Sequence, residues 1–252
     1  MDSNQLLEGN LKKNLIKLSL PTCLGFALQS LYDMVDMMWV GRISASAIAG
    51  VTIFSTVFWI VVVLNEIIGS SSISLITQSF GKNDIERTRR ILEQTLTFKM
   101  LVAIIAAAII SIILEPLLWF FSKDEEVIKA ALEYGYIRMF FLPIMFASYS
   151  VNTALRCLGD AKTPMNIMII SSIANIILDP IFMFKEIPFI HIPGLNMGVF
   201  GAALATVIST IVAFTTGFYV LIKGQSIIKI SLKGLFKLDW EIDKKLLTIG
   251  LP

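Results

Sequence analysis

The residues with the clearest chemical potential are acidic side chains inside long apolar segments. The first such segment, residues 15–40, carries polar residues at positions i, i+4 and i+7, namely Gln29, Asp33 and Asp36. In an α-helix this spacing places all three on one stripe. Because an ionisable side chain inside a membrane helix is costly, it marks a functional candidate. The stripe therefore predicts a polar site within the membrane.

A second apolar segment carries an amide and a carboxylate one helical turn apart, at Asn175 and Asp179. Pro180 follows and has no backbone N–H, so the carbonyl of Ile176 loses its usual helical partner. Carboxylate, amide and free carbonyl oxygens are suitable ligands for a hard cation. We therefore predict a cation site shared by two helices, with Asp36 and Asp179 as its charged groups.

The two carboxylates fall at a similar depth. Asp36 and Asp179 lie about five and six residues from the ends of their segments, which places both roughly 8–9 Å below the same membrane surface. Hydroxyl-bearing residues of two further segments reach a similar level and are candidate ligands: Tyr134, Tyr136 and Thr206. Each is an ordinary residue in a membrane helix, so the hydroxyls support a cation site only in combination with the two acids.

Simpler roles compete with this interpretation. In one alternative, Asp36 reaches the lipid headgroups from near a helix end. Asp33 is either a second ligand or a residue that faces a cavity. Glu66, near the middle of another apolar segment, either lines the cavity or makes one hydrogen bond to a neighbouring helix. Na⁺ bound by Asp36 and Asp179 is the only metal that the sequence suggests.

The composition indicates a lipid environment. Hydrophobic residues make up 56% of the 252-residue chain and charged residues only 16%, whereas about a quarter of a soluble domain is charged. The formal net charge of +2 gives no support to nucleic-acid binding, and two cysteines with one histidine are too few for a zinc or haem site. The polar start, with no cleavage pattern after the first apolar run, argues against a signal peptide.

Six apolar segments are long enough to cross a membrane. About 20 apolar residues suffice for a helical span, and continuous runs of this length are too long for barrel strands. The predicted spans lie near residues 15–40, 48–80, 91–114, 130–157, 165–185 and 198–222. The sequence therefore predicts an all-α, polytopic membrane protein with a six-helix bundle.

Lysine and arginine indicate the orientation. With the N-terminus inside, the inner segments hold fifteen of the 21 Lys and Arg residues and the outer segments hold four. The positive-inside rule then places the N-terminus in the cytoplasm. We expect a multi-pass protein of the cell membrane, in contact with membrane lipid.

The stretch after the sixth span is amphipathic and cationic. Residues 223–242 carry lysines among Ile, Leu and Phe, which predicts either a segment along the inner membrane face or a plain interdomain linker. Residues 243–252 resemble residues 12–21, and both stretches end in proline, at Pro252 and Pro21. We predict a six-helix lobe over residues 1–222, a cytoplasmic linker over 223–242 and the start of a second lobe over 243–252.

Six stretches form an ordered set of motifs along the whole chain. They are LSLPTCLGFALQSLYDMVDMMWVGRISASAIAG in span one, SFGKNDIERTRR after span two, YIRMFFLPIMF in span four, ALRCLGDAKTPM before span five, NIILDPIFMF in span five and GVFGAALATVIS in span six. Together they resemble the multidrug and toxic compound extrusion (MATE) transporters, most closely the prokaryotic DinF-like branch.

The resemblance implies an antiporter that expels organic cations or other amphiphiles in exchange for inward Na⁺ or H⁺, with no other cofactor and no enzymatic activity. In that branch the N-terminal lobe carries a cation site. The site's positions fall on Asp36, Asn175, Asp179 and Thr206 of this sequence. A tyrosine of span four also belongs to the site. Tyr134 and Tyr136 both remain candidates, and the spacing back from Asn175 favours Tyr134.

MATE transporters have twelve spans in two lobes, so the chain resembles one lobe and the start of the next. It is expected to be a truncated reading frame, a fragment or a half-transporter that pairs with a second lobe or forms a homodimer. A rival function is a flippase for lipid-linked sugar or polysaccharide precursors, although these substrates favour a basic cavity and the intramembrane charges are mostly acidic. A membrane enzyme would need a clustered acid–base or metal motif, which we do not find.

Overall fold

The computed structural model describes residues 11–223, 228–235 and 237–250. The helices are α1 (Leu11–Gly41), α2 (Ala45–Gly81), α3 (Ile85–Phe121), α4 (Glu125–Phe140), α5 (Leu142–Cys157), α6 (Lys162–Met183), α7 (Gly198–Lys223), α8 (Leu232–Leu235) and α9 (Trp240–Thr248). Within the described residues, β-pairing is limited to one bridge between Glu186 and Pro193. The parts of the predicted domains at residues 1–10, 224–227, 236 and 251–252 lie outside the described residues.

The long helices have the dimensions of membrane spans. Helices α2, α3, α6 and α7 each have the length and hydropathy of a span, and α4 with α5 qualifies as a fifth, bent span. Helix α1 has 31 residues, which is a length of about 46 Å. Its mean hydropathy is lower than that of α2, α3, α6 and α7 because it carries the polar stripe. The prediction of an all-α, six-helix membrane lobe is confirmed.

The fourth span is broken, whereas the sequence predicts one continuous helix over residues 130–157. Helix α4 ends at Phe140, α5 begins at Leu142, and their axes bend by 59°. The physical reason is Pro143 in the first turn of α5. Proline has no N–H to donate to a carbonyl one turn earlier, so a helix can start at this residue but not run through it undisturbed. The break gives α4 its own C-terminus, with Arg138 in the last turn.

Polar caps fix the starts of three helices. The side chains of Ser44, Asp84 and Asp124 accept hydrogen bonds from backbone N–H groups in the first turns of α2, α3 and α4. These caps satisfy donors that have no partner within the helix. They allow the short connections between consecutive helices from α1 to α4.

Small residues lie where the helices cross. Helix α2 packs on α4 where Gly50 approaches the backbone at Val127, and α7 packs on α6 where Gly201 approaches the backbone at Phe182. Small side chains let helix backbones approach closely inside a membrane. Helix α1 packs mainly against α6. It leaves several large apolar side chains exposed, among them Leu24, Leu31, Met34 and Met38.

The segment after α7 is held against α3 by bonds to its backbone. Glu93 accepts a hydrogen bond from the N–H of Ser231 at 2.6 Å, and Thr97 donates to the carbonyl of Leu235 at 2.5 Å. Gln94 donates to a further carbonyl of this segment. Because these hydrogen bonds go to main-chain atoms, α3 fixes the backbone position of the segment and does not contact its side chains through them. Its role as an inner-face linker stays a prediction.

Replacing Glu93 by Gln should loosen this segment. A hydrogen bond to a charged group contributes about 1.5–3 kcal/mol, and Glu93 also lies 4.0 Å from Arg89. We expect proteolysis within residues 228–237 to become roughly tenfold faster, as measured by mass spectrometry of the fragments. The exposed Glu115, near the other end of the same helix, provides the control Glu115→Gln, which should cleave at the original rate. Equal rates for Glu93→Gln and the unchanged protein would contradict the prediction.

Candidate functional site

Three of the predicted ligands meet between α6 and α7. The Nδ2 atom of Asn175 donates to Asp179 Oδ1 at 3.3 Å and lies 3.5 Å from Thr206 Oγ1. The Thr206 hydroxyl donates its proton to the carbonyl of Ala202, so its oxygen remains available as an acceptor. Asn175 and Asp179 are 1% and 0% exposed. The i, i+4 spacing therefore builds a buried pair on α6, which Thr206 joins from α7.

Asp36 contributes a second carboxylate from α1. Its side chain is buried, and it interacts electrostatically with Asp179. This proximity follows from the packing of α1 on α6. Two carboxylates in a poorly solvated place repel each other unless a proton or another cation neutralises one of them. The two predicted acids thus lie near each other on separate helices instead of facing lipid.

Three buried oxygens of this cluster have no hydrogen-bond partner among the described residues. They are Asp36 Oδ1, Asn175 Oδ1 and Asp179 Oδ2. An unsatisfied buried acceptor costs about 1–3 kcal/mol, so such groups are normally satisfied by water, a proton or an ion. This donor set fits either predicted coupling ion: a proton on one carboxylate, or Na⁺ held by several oxygens.

Tyr134 approaches the acids from α4. It is buried and interacts electrostatically with both Asp36 and Asp179. Its hydroxyl oxygen accepts a hydrogen bond from Arg138 Nη1 at 2.8 Å. The Arg138 guanidinium lies over the ring of Phe58, 4.9 Å from its centroid. A cation that the sequence analysis did not assign therefore adjoins the predicted site.

Tyr136 lies elsewhere on α4. It is 45% exposed and lines a cleft of about 490 Å³ with Trp119, Lys129 and Phe200. Two residues along an α-helix correspond to a rotation of about 200°, so Tyr134 and Tyr136 point to opposite sides. Of the two tyrosines, Tyr134 is the one beside the acids.

The three further cavity candidates gather around Tyr149 of α5. Gln29, Asp33 and Glu66 all interact with the Tyr149 side chain. Gln29 and Tyr149 also line a recess of about 60 Å³ between α1, α5, α6 and α7. The recess has room for a few water molecules, but small-molecule pockets measure about 300–1,000 Å³. In this conformation the recess is too small for an organic substrate.

A second intramembrane cation, Lys99, is buried between α2 and α3. Its Nζ donates to Asn65 Oδ1 at 3.0 Å, and Asn65 donates to Glu66 Oε1 at 3.4 Å. Sequence reasoning could have found both missed cations. Lys99 is an isolated charge in an apolar span, and Arg138 follows Tyr134 at i+4, on the same helical stripe.

Comparison with known proteins decides the family. The MatE family model matches residues 21–181. The chain belongs to the MATE family. One MATE relative is "Probable multidrug resistance protein YoeA" of Bacillus subtilis (strain 168), 34% identical over 235 residues that cover 92% of this chain and 50% of YoeA. Another is "Probable multidrug resistance protein YpnP" of the same strain, 28% identical over 255 residues that cover 100% of this chain and 54% of YpnP.

The MATE assignment extends to three-dimensional structure. A solved structure described as the outward-facing conformation of a multidrug resistance MATE family transporter of the MOP superfamily matches 100% of this chain. The TM-score is 0.87 at 28% identity, and the match covers 54% of that chain. This chain therefore spans about half the length of the MATE proteins that it matches. The family resemblance predicted from the motifs is confirmed.

Proposed function

We propose that this chain is one lobe of a cation-coupled MATE antiporter that exports drugs or other small organic amphiphiles across the cell membrane. The observation that carries the proposal is the burial of Asp36 and Asp179, two carboxylates on separate membrane helices that act on each other electrostatically. Ion coupling needs a cation site within the membrane, and buried acids with unpaired oxygens supply one. The coupling ion is Na⁺ or H⁺.

The relatives support export of drugs. YoeA and YpnP are both named as probable multidrug resistance proteins, which are transport proteins rather than enzymes. Because the chain spans about half of each, transport requires a second lobe or a second copy of this chain. The excess of Lys and Arg on one side of the spans supports a cytoplasmic N-terminus.

Cation binding would act through the contact between α1 and α6. Neutralising one carboxylate removes the repulsion between Asp36 and Asp179 and lets the two helices approach. Helix α1 contains Pro21, a point at which it can bend. At Gly25 it contacts Met168 of α6, which lines the recess. A substrate that requires a wider recess must then weaken cation binding by the same factor by which the cation weakens substrate binding.

The test is dye export driven by an imposed Na⁺ or pH gradient. Membrane vesicles should carry the protein as its own gene encodes it, either unchanged or as Asp36→Asn. We expect Asp36→Asn to lose gradient-driven export by roughly tenfold or more, since the amide keeps the shape but neither binds a proton nor carries charge. Glu126→Gln, which removes an acid exposed on α4, should export at the original rate. Undiminished gradient-driven export by Asp36→Asn would refute the proposal.

A further inference from the structure

Arg138 is a cation held beside the candidate site by neutral partners. Its Nη1 donates to the Tyr134 hydroxyl at 2.8 Å. Its guanidinium lies over the rings of Phe58 and Tyr134, at 4.9 Å and 5.3 Å from their centroids. Cation–π attraction is strongest where the cation is shielded from water. Phe58 on α2 and Tyr134 on α4 therefore fix the position of the charge.

The Arg138 charge acts electrostatically on the acids of α1 but forms no ion pair with them. Arg138 interacts electrostatically with Asp33 and Asp36. No ion pair within 4.0 Å forms between Arg138 and any carboxylate of the described ranges. Its Nε is buried and, in the same ranges, has no hydrogen-bond acceptor. The other ionisable groups that face it, Tyr32 and Tyr149, are hydroxyls. The guanidinium is thus a positive charge that acts on Asp33 and Asp36 without forming an ion pair with either.

A fixed guanidinium in this position opposes a metal cation more than it opposes a proton. The Tyr134 oxygen already accepts a hydrogen bond from Arg138. A Na⁺ bound to that oxygen would lie within roughly 5 Å of the guanidinium, where charges inside a protein are poorly screened. A proton adds to one carboxylate oxygen and needs no ligand from Tyr134. The guanidinium therefore discriminates between the two ions.

We propose that Arg138 sets the cation selectivity of the site by weakening the binding of Na⁺. Arg138 thus determines which ion the site prefers, and it is not held in place by an ion pair. This inference rests on the proposed function, since it presupposes that Asp36 and Asp179 bind the coupling cation.

The test is equilibrium binding of ²²Na⁺ to the purified full chain in detergent, at one fixed pH. We expect Arg138→Gln to raise the affinity for Na⁺ at least tenfold, because the positive charge is removed while a hydrogen-bond donor remains for Tyr134. Arg138→Lys keeps the charge and should stay within about threefold of the unchanged protein. Arg156→Gln removes an arginine of α5 that lies over Phe26 and is not among the groups acting on Asp36 or Asp179, and it should stay within about twofold.

The outcomes separate this inference from the proposed function. Adding Asp36→Asn to Arg138→Gln should remove the gained Na⁺ binding. If Arg138→Gln elutes as a monodisperse protein with unchanged tryptophan fluorescence and gains no affinity for Na⁺, the selectivity role is refuted, whatever Asp36→Asn does to export. If the gain persists after Asp36→Asn is added, Na⁺ binds elsewhere. The assignment of the coupling site to Asp36 then fails, although removal of the Arg138 charge has changed Na⁺ affinity.

Discussion

Asp179→Asn should abolish cation-coupled export and at the same time make the protein more stable. Asp179 is fully buried, its Oδ2 has no hydrogen-bond partner among the described residues, and it faces the charge of Asp36. The amide is nearly isosteric and can keep the contact with Asn175. It removes the repulsion, which should stabilise the folded state by about 1–3 kcal/mol. In the proposed mechanism the same change leaves one acid where two act together, so we expect coupled export to fall by roughly a hundredfold.

Two measurements test this prediction together. Gradient-driven dye export reports the coupling, and the midpoint of thermal unfolding in detergent reports the stability. Glu133→Gln is a matched control, since Glu133 is an exposed acid on α4 and its replacement should change neither quantity. Loss of export with a lower unfolding midpoint would mean that Asp179 is mainly structural. Retained export would exclude it from the coupling site.

Gly50→Ala should be the most destabilising of the three glycine-to-alanine substitutions in α2, at Gly50, Gly69 and Gly81. A Cβ atom at Gly50 would lie 2.6 Å from the carbonyl oxygen of Val127 and 2.9 Å from the backbone nitrogen of Ala131. Both atoms belong to the backbone of α4 and cannot rotate away, so the two helices must separate. Overpacking of this kind costs about 1–3 kcal/mol. We expect a clearly lower unfolding midpoint and a lower yield of monodisperse protein.

The same helix supplies the control. Gly81 ends α2, and a Cβ atom there would meet no heavy atom within 4 Å apart from its chain neighbours and the backbone of its own helix. Gly81→Ala should therefore leave the unfolding midpoint unchanged or raise it slightly, because alanine reduces the freedom of the unfolded chain. Equal midpoints for Gly50→Ala and Gly81→Ala would show that α2 and α4 do not pack as closely as described.

The sequence was sufficient for the parts of the fold that depend on one segment at a time. Long apolar runs predicted the membrane helices, and helical spacing placed Asn175 one turn from Asp179. The break after Phe140 was missed although Pro143 was visible, because prolines are tolerated within membrane helices and do not by themselves say where a helix stops.

The parts that depend on neighbouring helices were harder to predict. Spacing within α4 does not determine which face of that helix lies toward Asp36 and Asp179, so the choice between Tyr134 and Tyr136 required the structure. The proximity of Asp36 and Asp179 was inferred from matching depth and family resemblance, since residue spacing contains no distance between separate helices. Spacing also places Arg138 on the same stripe as Tyr134, but it could not show that the guanidinium lies over Phe58, which belongs to another helix.

The bend after Phe140 also has an electrical consequence. The last carbonyls of a helix carry a partial negative charge, equivalent to about half an elementary charge. Arg138 lies in the final turn of α4, where this dipole favours a cation. This position favours the charged guanidinium whether or not the nearby acids are neutralised. The bend after Phe140 thus creates a helix end inside the fourth span, at which a buried positive charge is favoured.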